Sequence, residues 1–137
     1  MDRPTIDQRL QSLKSIPLFD GLSKGSLRSI LDMSGELEAA PGQVLVQPKM
    51  AGSGLFVIEE GTVVVERSGK TIELGPGQFF GELALLTSTT RTARVRAKTP
   101  ARLIAIGRAD FRRLLDSEPK MAIAMLEVLA KRLADSG

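Results

Sequence analysis

Apolar residues follow helical spacing at both ends of the chain, and short alternating runs lie between them. These two patterns predict the architecture. In the first third, apolar residues recur every three or four positions, which predicts two amphipathic helices. Their apolar stripes are Ile6, Leu10 and Leu13, then Leu27, Ile30 and Leu31. Pro17 separates the two helices, and Ser23 is suited to cap the start of the second.

The middle of the chain, residues 35–107, is cut by glycine- and proline-rich turns at short intervals. The β-favouring runs between the turns are Gln43–Gln47, Leu55–Glu59, Thr62–Arg67, Thr71–Leu74, Thr92–Lys98 and Arg102–Ile106. Many short strands at this spacing predict an antiparallel sandwich or barrel.

The last part of the chain returns to helical spacing. A short helix is expected over Ala109–Leu115, and a longer one is expected to start at Ser117–Pro119, because proline is tolerated in a first helical turn. The stripe of the longer helix is Met121, Ala122, Met125, Leu126, Leu129 and Leu133. The predicted fold class is therefore α+β: an antiparallel β-roll or jelly-roll barrel flanked by N-terminal helices and a C-terminal helix pair. We expect one domain over 1–137, with a helical lead-in at 5–34, the β-roll at 35–107 and C-terminal helices at 108–135.

Composition narrows the range of function. The chain has no cysteine and no histidine, so disulfides, thiolate or imidazole metal sites and the commonest general base are all excluded. We therefore expect no enzyme, no metal and no cofactor. There is no signal pattern and no apolar run near the roughly 20 residues that a membrane span needs, so we expect a cytoplasmic chain without membrane contact.

Positive charge is concentrated between Arg91 and Arg113, where eight basic residues accompany one acid, Asp110. Strand alternation puts Arg94, Arg96 and Lys98 on one face of a strand, opposite Ala93, Val95 and Ala97. A charged strand face is normally solvated, so we expect no nucleic-acid binding by this chain.

The segment that begins at Phe79 breaks the β rhythm and carries the candidate chemistry. After a Gly-Pro-Gly turn, a helix start near Gly81 would expose backbone N–H groups that suit an anion, and the missing Cβ would let a phosphate approach. Arg91, ten residues later, offers a planar fork for two phosphate oxygens. Glu82 would repel a bare phosphate but would accept a hydrogen bond from a sugar hydroxyl. The three residues together favour a sugar phosphate with a free hydroxyl.

The string FGELALLTSTTRTARVRAKTP, which begins at Phe80, closely resembles the phosphate-binding cassette of cyclic nucleotide-binding domains. That family includes the catabolite activator protein, the protein kinase A regulatory subunit and cyclic-nucleotide-gated channels. The segments that begin at Ile16, Pro41, Phe56 and Leu74 also resemble the family, so that about residues 14–133 are covered. The ligand-binding residues implied by the resemblance are Phe80, Gly81, Glu82, Leu83, Ala84, Arg91, Thr92 and Ala93.

The resemblance also implies roles within the cassette. Gly81, Leu83 and Ala84 would contact the cyclic phosphate through the backbone, and Glu82 would accept from the ribose 2′-OH. Arg91 would pair with the equatorial phosphate oxygens, as the residues themselves suggest.

Base preference and coupling are further implications of the resemblance. Thr at the position of Thr92 is associated with tolerance of cGMP in the family, but such domains often bind cAMP, and we favour cAMP. Thr90 and Arg94 depart from the residues frequent in the family, and Arg94 is expected to face solvent. The last helix would close over the base as a lid, with Leu129, Arg132 and Leu133 as candidate contacts. Nucleotide binding would then shift the population of helix positions.

Several interpretations stay open at this point. The chain is either a free-standing sensor or part of a larger protein, such as a cyclic-nucleotide-regulated channel or enzyme. An alternative interpretation is that the chain is the sensor half of a catabolite-activator-like transcription regulator without its DNA-binding domain. In both cases the C-terminal helix could contact an effector domain or form a homodimer. A cupin-like enzyme is disfavoured by the lack of histidine, and a degenerate domain that binds nothing is disfavoured by the intact set of Gly81, Glu82 and Arg91.

Overall fold

Helices at both ends of the sequence flank the strands of two antiparallel sheets in the computed structural model, which describes residues 4–46, 54–81 and 93–136. The described helices are α1 (Ile6–Lys14), α2 (Lys24–Met33), α3 (Arg108–Ser117) and α4 (Pro119–Ser136), with a 3-10 turn at Pro17–Phe19. The described strands are β1 (Gly35–Ala39), β2 (Val44–Val46), β3 (Gly54–Glu60), β4 (Val63–Arg67), β5 (Lys70–Leu74), β6 (Phe79–Phe80), β7 (Arg94–Ala97) and β8 (Ala101–Gly107). The predicted α+β class with an antiparallel β-roll is confirmed.

The strands form two four-stranded sheets within the described residues. Sheet A has the order β1-β8-β3-β6, and sheet B has the order β2-β7-β4-β5. In sheet A, β8 lies between β1 and β3, where Leu37 pairs with Leu103 and Val57 pairs with Ile104. The chain passes repeatedly between the two sheets, and the predicted cassette spans the passage from β6 in sheet A to β7 in sheet B.

The core has two parts, one on each face of sheet A. Alternation along β3 directs Leu55 and Val57 toward the helices, whereas Ile58 packs against sheet B. The helix-side cluster also contains Phe19, Phe79 and Phe111, and the inter-sheet cluster contains Phe80 and Ala93. The molecule is therefore layered as helices, sheet A and sheet B.

Local capping explains where the first two helices begin. Thr5 and Gln8 form a capping box, in which the Gln8 backbone N–H donates to Thr5 Oγ1 at 3.1 Å and the Thr5 N–H donates to Gln8 Oε1 at 2.8 Å. Ser23 caps α2 as predicted, by accepting from the Ser26 N–H. The predicted stripe of α1 is wrong at its first position, because Ile6 is 47% exposed.

Two strands and one helix face differ from the sequence-based prediction. The β-favouring runs do not include β1, whose residues are mostly exposed, or the two-residue β6. On α4, Met121 and Met125 are buried in the helix-side cluster, but Leu126 is 65% exposed and Leu133 is 75% exposed. The predicted single stripe is therefore divided between a core-facing side and a solvent-facing side.

Acidic residues, most of them from other parts of the chain, pair with much of the basic run. Arg96 lies 2.9 Å from Glu66 and Lys98 lies 2.8 Å from Glu73, both across the outer face of sheet B. Two further pairs are Arg102 with Glu60 and Arg113 with Asp110. These pairs fit the interpretation of the run as a solvated, charge-balanced surface. Among the described helices, none is long and apolar enough to cross a membrane.

Candidate functional site

Strand β6, which leads into the predicted cassette, is fixed by aromatic side chains on both of its faces. Phe79 is 1% exposed in the helix-side cluster, whereas Phe80 is 5% exposed in the inter-sheet cluster. The Phe80 ring stacks on Phe56, its cross-strand partner in β3, with ring centroids 5.0 Å apart and an interplanar angle of 15°. A strand of only two residues is thereby held firmly on sheet A.

Gly81 follows β6 directly and has a φ of +97°. Side chains disfavour this backbone region because Cβ meets the neighbouring carbonyl, so glycine suits the position. The chain thus turns sharply out of β6 at the residue where the phosphate-binding segment was predicted to begin. The conformation gives a local reason for glycine here that is independent of any ligand.

The far end of the predicted cassette is anchored as well. Ala93, Val95 and Ala97 are 7%, 2% and 0% exposed and belong to the inter-sheet cluster, whereas Arg94 is exposed. The predicted alternation along this strand is confirmed, including the solvent-facing position of Arg94. Phe80 and Ala93 therefore lie in the same apolar cluster, one at each end of the intervening segment.

The remaining predicted cassette residues lie outside the described part of the chain. They are Glu82, Leu83, Ala84, Arg91 and Thr92. Their assigned contacts, and the ligand roles of Phe80, Gly81 and Ala93, stay predictions. Within the described residues, no group of three or more metal-ligating side chains gathers.

The three candidate lid residues occupy different environments on α4. Leu129 packs partly buried against the helix-side cluster, and Leu133 is 75% exposed. Arg132 reaches back to β6, where its Nη2 donates to the Phe79 carbonyl oxygen at 2.7 Å. Its guanidinium carbon also lies 4.6 Å from the centroid of the Phe79 ring. The structure thus connects one candidate lid residue to the strand that precedes Gly81.

Two residues were given no role from the sequence, one directly before the predicted cassette and the other at the edge of sheet B. Phe79 begins the segment that breaks the β rhythm, but its contact with Arg132 depends on a tertiary approach of residues 53 positions apart. Ile72 pairs with Val65 across β4 and β5, and Val65 belongs to the inter-sheet cluster, yet Ile72 is 55% exposed. Strand alternation from buried Leu74 would have identified Ile72 as an apolar side chain on the inner face at a sheet edge.

Two concavities in the described part of the chain lie beside the N-terminal helices. One, of about 350 Å³, lies between α1 and α2, and the other, of about 170 Å³, lies near the 3-10 turn and Gly77. Neither is lined by Phe80, Gly81 or Ala93, so neither is the predicted nucleotide site.

Comparisons with known proteins agree with this geometry. The sequence profile of the cyclic nucleotide-binding domain matches residues 36–118. A cyclic nucleotide-gated potassium channel of Rhizobium etli is 32% identical over 122 residues, which cover 89% of this chain and 34% of the channel. The cAMP-dependent protein kinase regulatory subunit of Schizosaccharomyces pombe is 32% identical over 105 residues, which cover 75% of this chain and 26% of that protein.

A solved structure supports the fold. The catabolite activator protein of Thermus thermophilus superposes with a TM-score of 0.77 at 28% identity, over 88% of this chain and 59% of that protein. The chain spans about a third of the length of the first curated relatives that it matches. The resemblance drawn from the cassette is therefore confirmed, and the chain belongs to the cyclic nucleotide-binding domain family.

Proposed function

We propose that this chain is a sensor that binds a 3′,5′-cyclic nucleotide, with cAMP preferred to cGMP, through the segment from Phe80 to Ala97. In this proposal Glu82 accepts from the ribose 2′-OH, and Arg91 pairs with the phosphate. Backbone N–H groups of Leu83 and Ala84 and a contact from Thr92 complete the set. The chain acts by binding and not by catalysis.

The observation that best supports the proposal is the double anchoring of the cassette. Phe80 and Ala93 are buried in one cluster, and Gly81 adopts a positive φ at the start of the segment. The chain therefore leaves sheet A and reaches sheet B at fixed points. Fixed attachment points lower the ordering cost of a ligand-binding segment.

Isothermal titration of the chain with cAMP and cGMP tests the proposal, with Arg91→Ala as the critical variant. Loss of a charge-assisted, two-point contact should weaken cAMP binding by roughly tenfold to a hundredfold. Arg94→Ala is the matched control, because Arg94 lies nearby in sequence, carries the same charge and is exposed on the outer face of β7. Arg94→Ala should leave cAMP affinity within about twofold, since long-range effects of an exposed charge are screened.

Three results would contradict parts of this assignment. Equal affinities of the Arg91→Ala and Arg94→Ala variants would remove the phosphate role of Arg91. Absence of binding to either nucleotide at millimolar concentration would leave a domain that keeps the fold without the ligand. Tighter binding of cGMP than of cAMP would reverse the proposed base preference, and Thr92→Ala would then be expected to reduce cGMP affinity selectively.

We also propose that binding is coupled to the position of α4. Contacts of α4 with the helix-side cluster are fully buried at Met121 and Met125 but only partly buried at Val128 and Leu129 farther along. A helix held firmly at one end can change the position of its other end at modest cost. Amide exchange over residues 118–135 should therefore slow when cAMP is added, and unchanged exchange would argue against the coupling.

A specific feature favours homodimerisation through α4, which is one of the partner contacts open from the sequence. Ile123, Leu126, Ala130 and Leu133 are exposed and follow a spacing of three, four and three residues. That spacing is the repeat of a two-stranded coiled-coil seam. A second copy of the chain would bury these side chains.

Sedimentation equilibrium tests this seam. The wild type should be dimeric at micromolar concentration and Leu126→Lys monomeric, because the lysine would place like charges opposite each other in the seam. Lys131→Glu is a control at an exposed position outside the stripe, and it should leave the dimer intact. A wild type that stays monomeric at about 100 µM would instead leave the exposed face of α4 for an effector domain.

The effector, the cytoplasmic location and the absence of nucleic-acid or membrane contacts stay proposals. The chain corresponds to about a third of the length of several channel relatives. One version of the proposal is therefore that the sensor acts on an effector domain in the same, longer protein. The catabolite-activator-like alternative differs in requiring the homodimer, and the sedimentation result discriminates between them.

A further inference from the structure

The contact between Arg132 and Phe79 joins α4 to the strand that leads into the cassette. Arg132 Nη2 donates to the Phe79 carbonyl oxygen at 2.7 Å, a length typical of a charge-assisted hydrogen bond. The guanidinium carbon lies 4.6 Å from the centroid of the Phe79 ring, within the range of a cation–π contact. One side chain therefore contacts both the backbone and the ring of the same residue.

Phe79 lies where α4 meets the strand that leads into the cassette. Phe79 is 1% exposed in the helix-side cluster, and β6 is one of the two edge strands of sheet A, paired with β3. Gly81, with its positive φ, follows two residues later. The Arg132 hydrogen bond therefore fixes the backbone two residues before the point at which the chain turns out of β6.

Arg132 extends the attachment of α4 beyond its buried methionines. Met121 and Met125 are buried, and Val128 and Leu129 pack partly buried against the same cluster. Arg132 is half-buried, one turn further along a helix whose remaining described side chains are exposed. The docking of this last part of α4 therefore depends on Arg132 more than on apolar burial.

We propose that Arg132 is a positioning residue that couples the docking of α4 to the backbone of the cassette through Phe79, rather than by contacting the nucleotide. The inference rests on the proposed nucleotide-binding function. By linkage, if docked α4 favours the binding-competent cassette, bound nucleotide must strengthen the docking of α4 by the same factor. Loss of the Arg132 contact should then weaken both the docking of α4 and the binding of the nucleotide.

Hydrogen exchange and calorimetry on the whole chain test the inference, with Arg132→Gln compared with Lys131→Gln. Each variant removes one positive charge from α4, but Lys131 is exposed. Without nucleotide, Arg132→Gln should speed exchange of residues 128–136 by about tenfold, as expected for loss of a charged hydrogen bond. It should also weaken cAMP binding by about five- to tenfold, whereas Lys131→Gln should change neither quantity. Arg132→Lys keeps a donor and the charge but not the planar fork, and it should recover part of both losses.

The outcomes separate this role from others. Faster exchange with unchanged cAMP affinity would make Arg132 a purely structural contact and overturn the inference. Weaker cAMP binding with unchanged exchange in the nucleotide-free chain would indicate direct contact with the ligand and would also overturn it. If the wild type binds no cyclic nucleotide, the proposed function fails. Exchange in the nucleotide-free chain would still report whether Arg132 holds α4.

Discussion

Replacement of Gly61 by alanine gives a sharp test of the backbone packing. Gly61 lies between β3 and β4 with a φ of +90°. A Cβ at this position would collide with the Pro100 carbonyl oxygen and would lie 2.7 Å from Ala101 Cα. Relief cannot come from a flexible side chain, because these neighbours are backbone atoms.

Hydrogen bonds also limit movement of the opposing turn. The Thr62 N–H donates to Thr99 Oγ1 at 3.0 Å, and the Lys98 N–H donates to the Thr62 carbonyl at 2.8 Å. Moving the backbone of Pro100 and Ala101 away from the added Cβ would strain or break one or both of these hydrogen bonds, each worth about 1 kcal/mol. The positive φ adds about 1–2 kcal/mol, and reduced freedom of the unfolded chain offsets about 0.4–1 kcal/mol. The expected net loss is about 2–3 kcal/mol, a large part of the stability of a typical domain.

Gly42→Ala is the matched control, because Gly42 has a φ of +85° with nothing within 4 Å of the added Cβ. It should cost only the backbone strain, about 1 kcal/mol. Urea unfolding followed by circular dichroism, with unchanged m-values, gives both free energies. If the two variants differ by less than about 0.5 kcal/mol, the argument from close packing at Gly61 is refuted.

Three further substitutions test other parts of the fold by urea unfolding. Phe111→Ala should cost about 3–5 kcal/mol, because the ring is fully buried, and a loss below about 1 kcal/mol would contradict that burial. Lys98→Met should cost less than about 1 kcal/mol and lose its effect at high salt, because Lys98 and Glu73 are both about half exposed. A larger, salt-independent loss would count against that account. Thr5→Ala should cost about 1 kcal/mol by removing the α1 cap, while Thr5→Ser should be nearly neutral. Equal losses for both would show that the hydroxyl is not the stabilising group.

Sequence pattern predicts those elements whose own residues carry the signal. The alternation of Val95 and Arg96 along β7, and the cap at Ser23, follow from side-chain period and local hydrogen bonding. Strand β1 carries the same alternation, with Leu37 and Ala39 between exposed glutamates, but over only four residues. So short a pattern does not distinguish a strand from a loop, and pairing with β8 supplies the stability. Strand β6 is only two residues long and depends on pairing with β3.

For the candidate site, the residues of the cassette could be predicted from the sequence, but the tertiary contacts around it could not. The cassette was identified from its residue types and family resemblance, and sequence alternation also placed Ala93 inward and Arg94 outward. The contact from Arg132 to Phe79 could not be predicted, because it depends on how α4 crosses the helix-side face of sheet A. Apolar spacing on α4 likewise does not distinguish buried Met125 from exposed Leu126. That distinction follows from the direction in which the helix docks.

The central place of β8 in sheet A has a consequence for how the chain acquires its structure during synthesis. The strand is made after all the others, yet it pairs with both β1 and β3, and it joins Gly35 to Ala105. While β8 is still inside the ribosome, the nascent chain has no partner for β1, and one edge of β3 stays open. Closure of so long a loop is entropically slow, so exposed strand edges persist until this step. A ribosome pause or truncation before residue 101 would therefore create a species prone to pair with other chains.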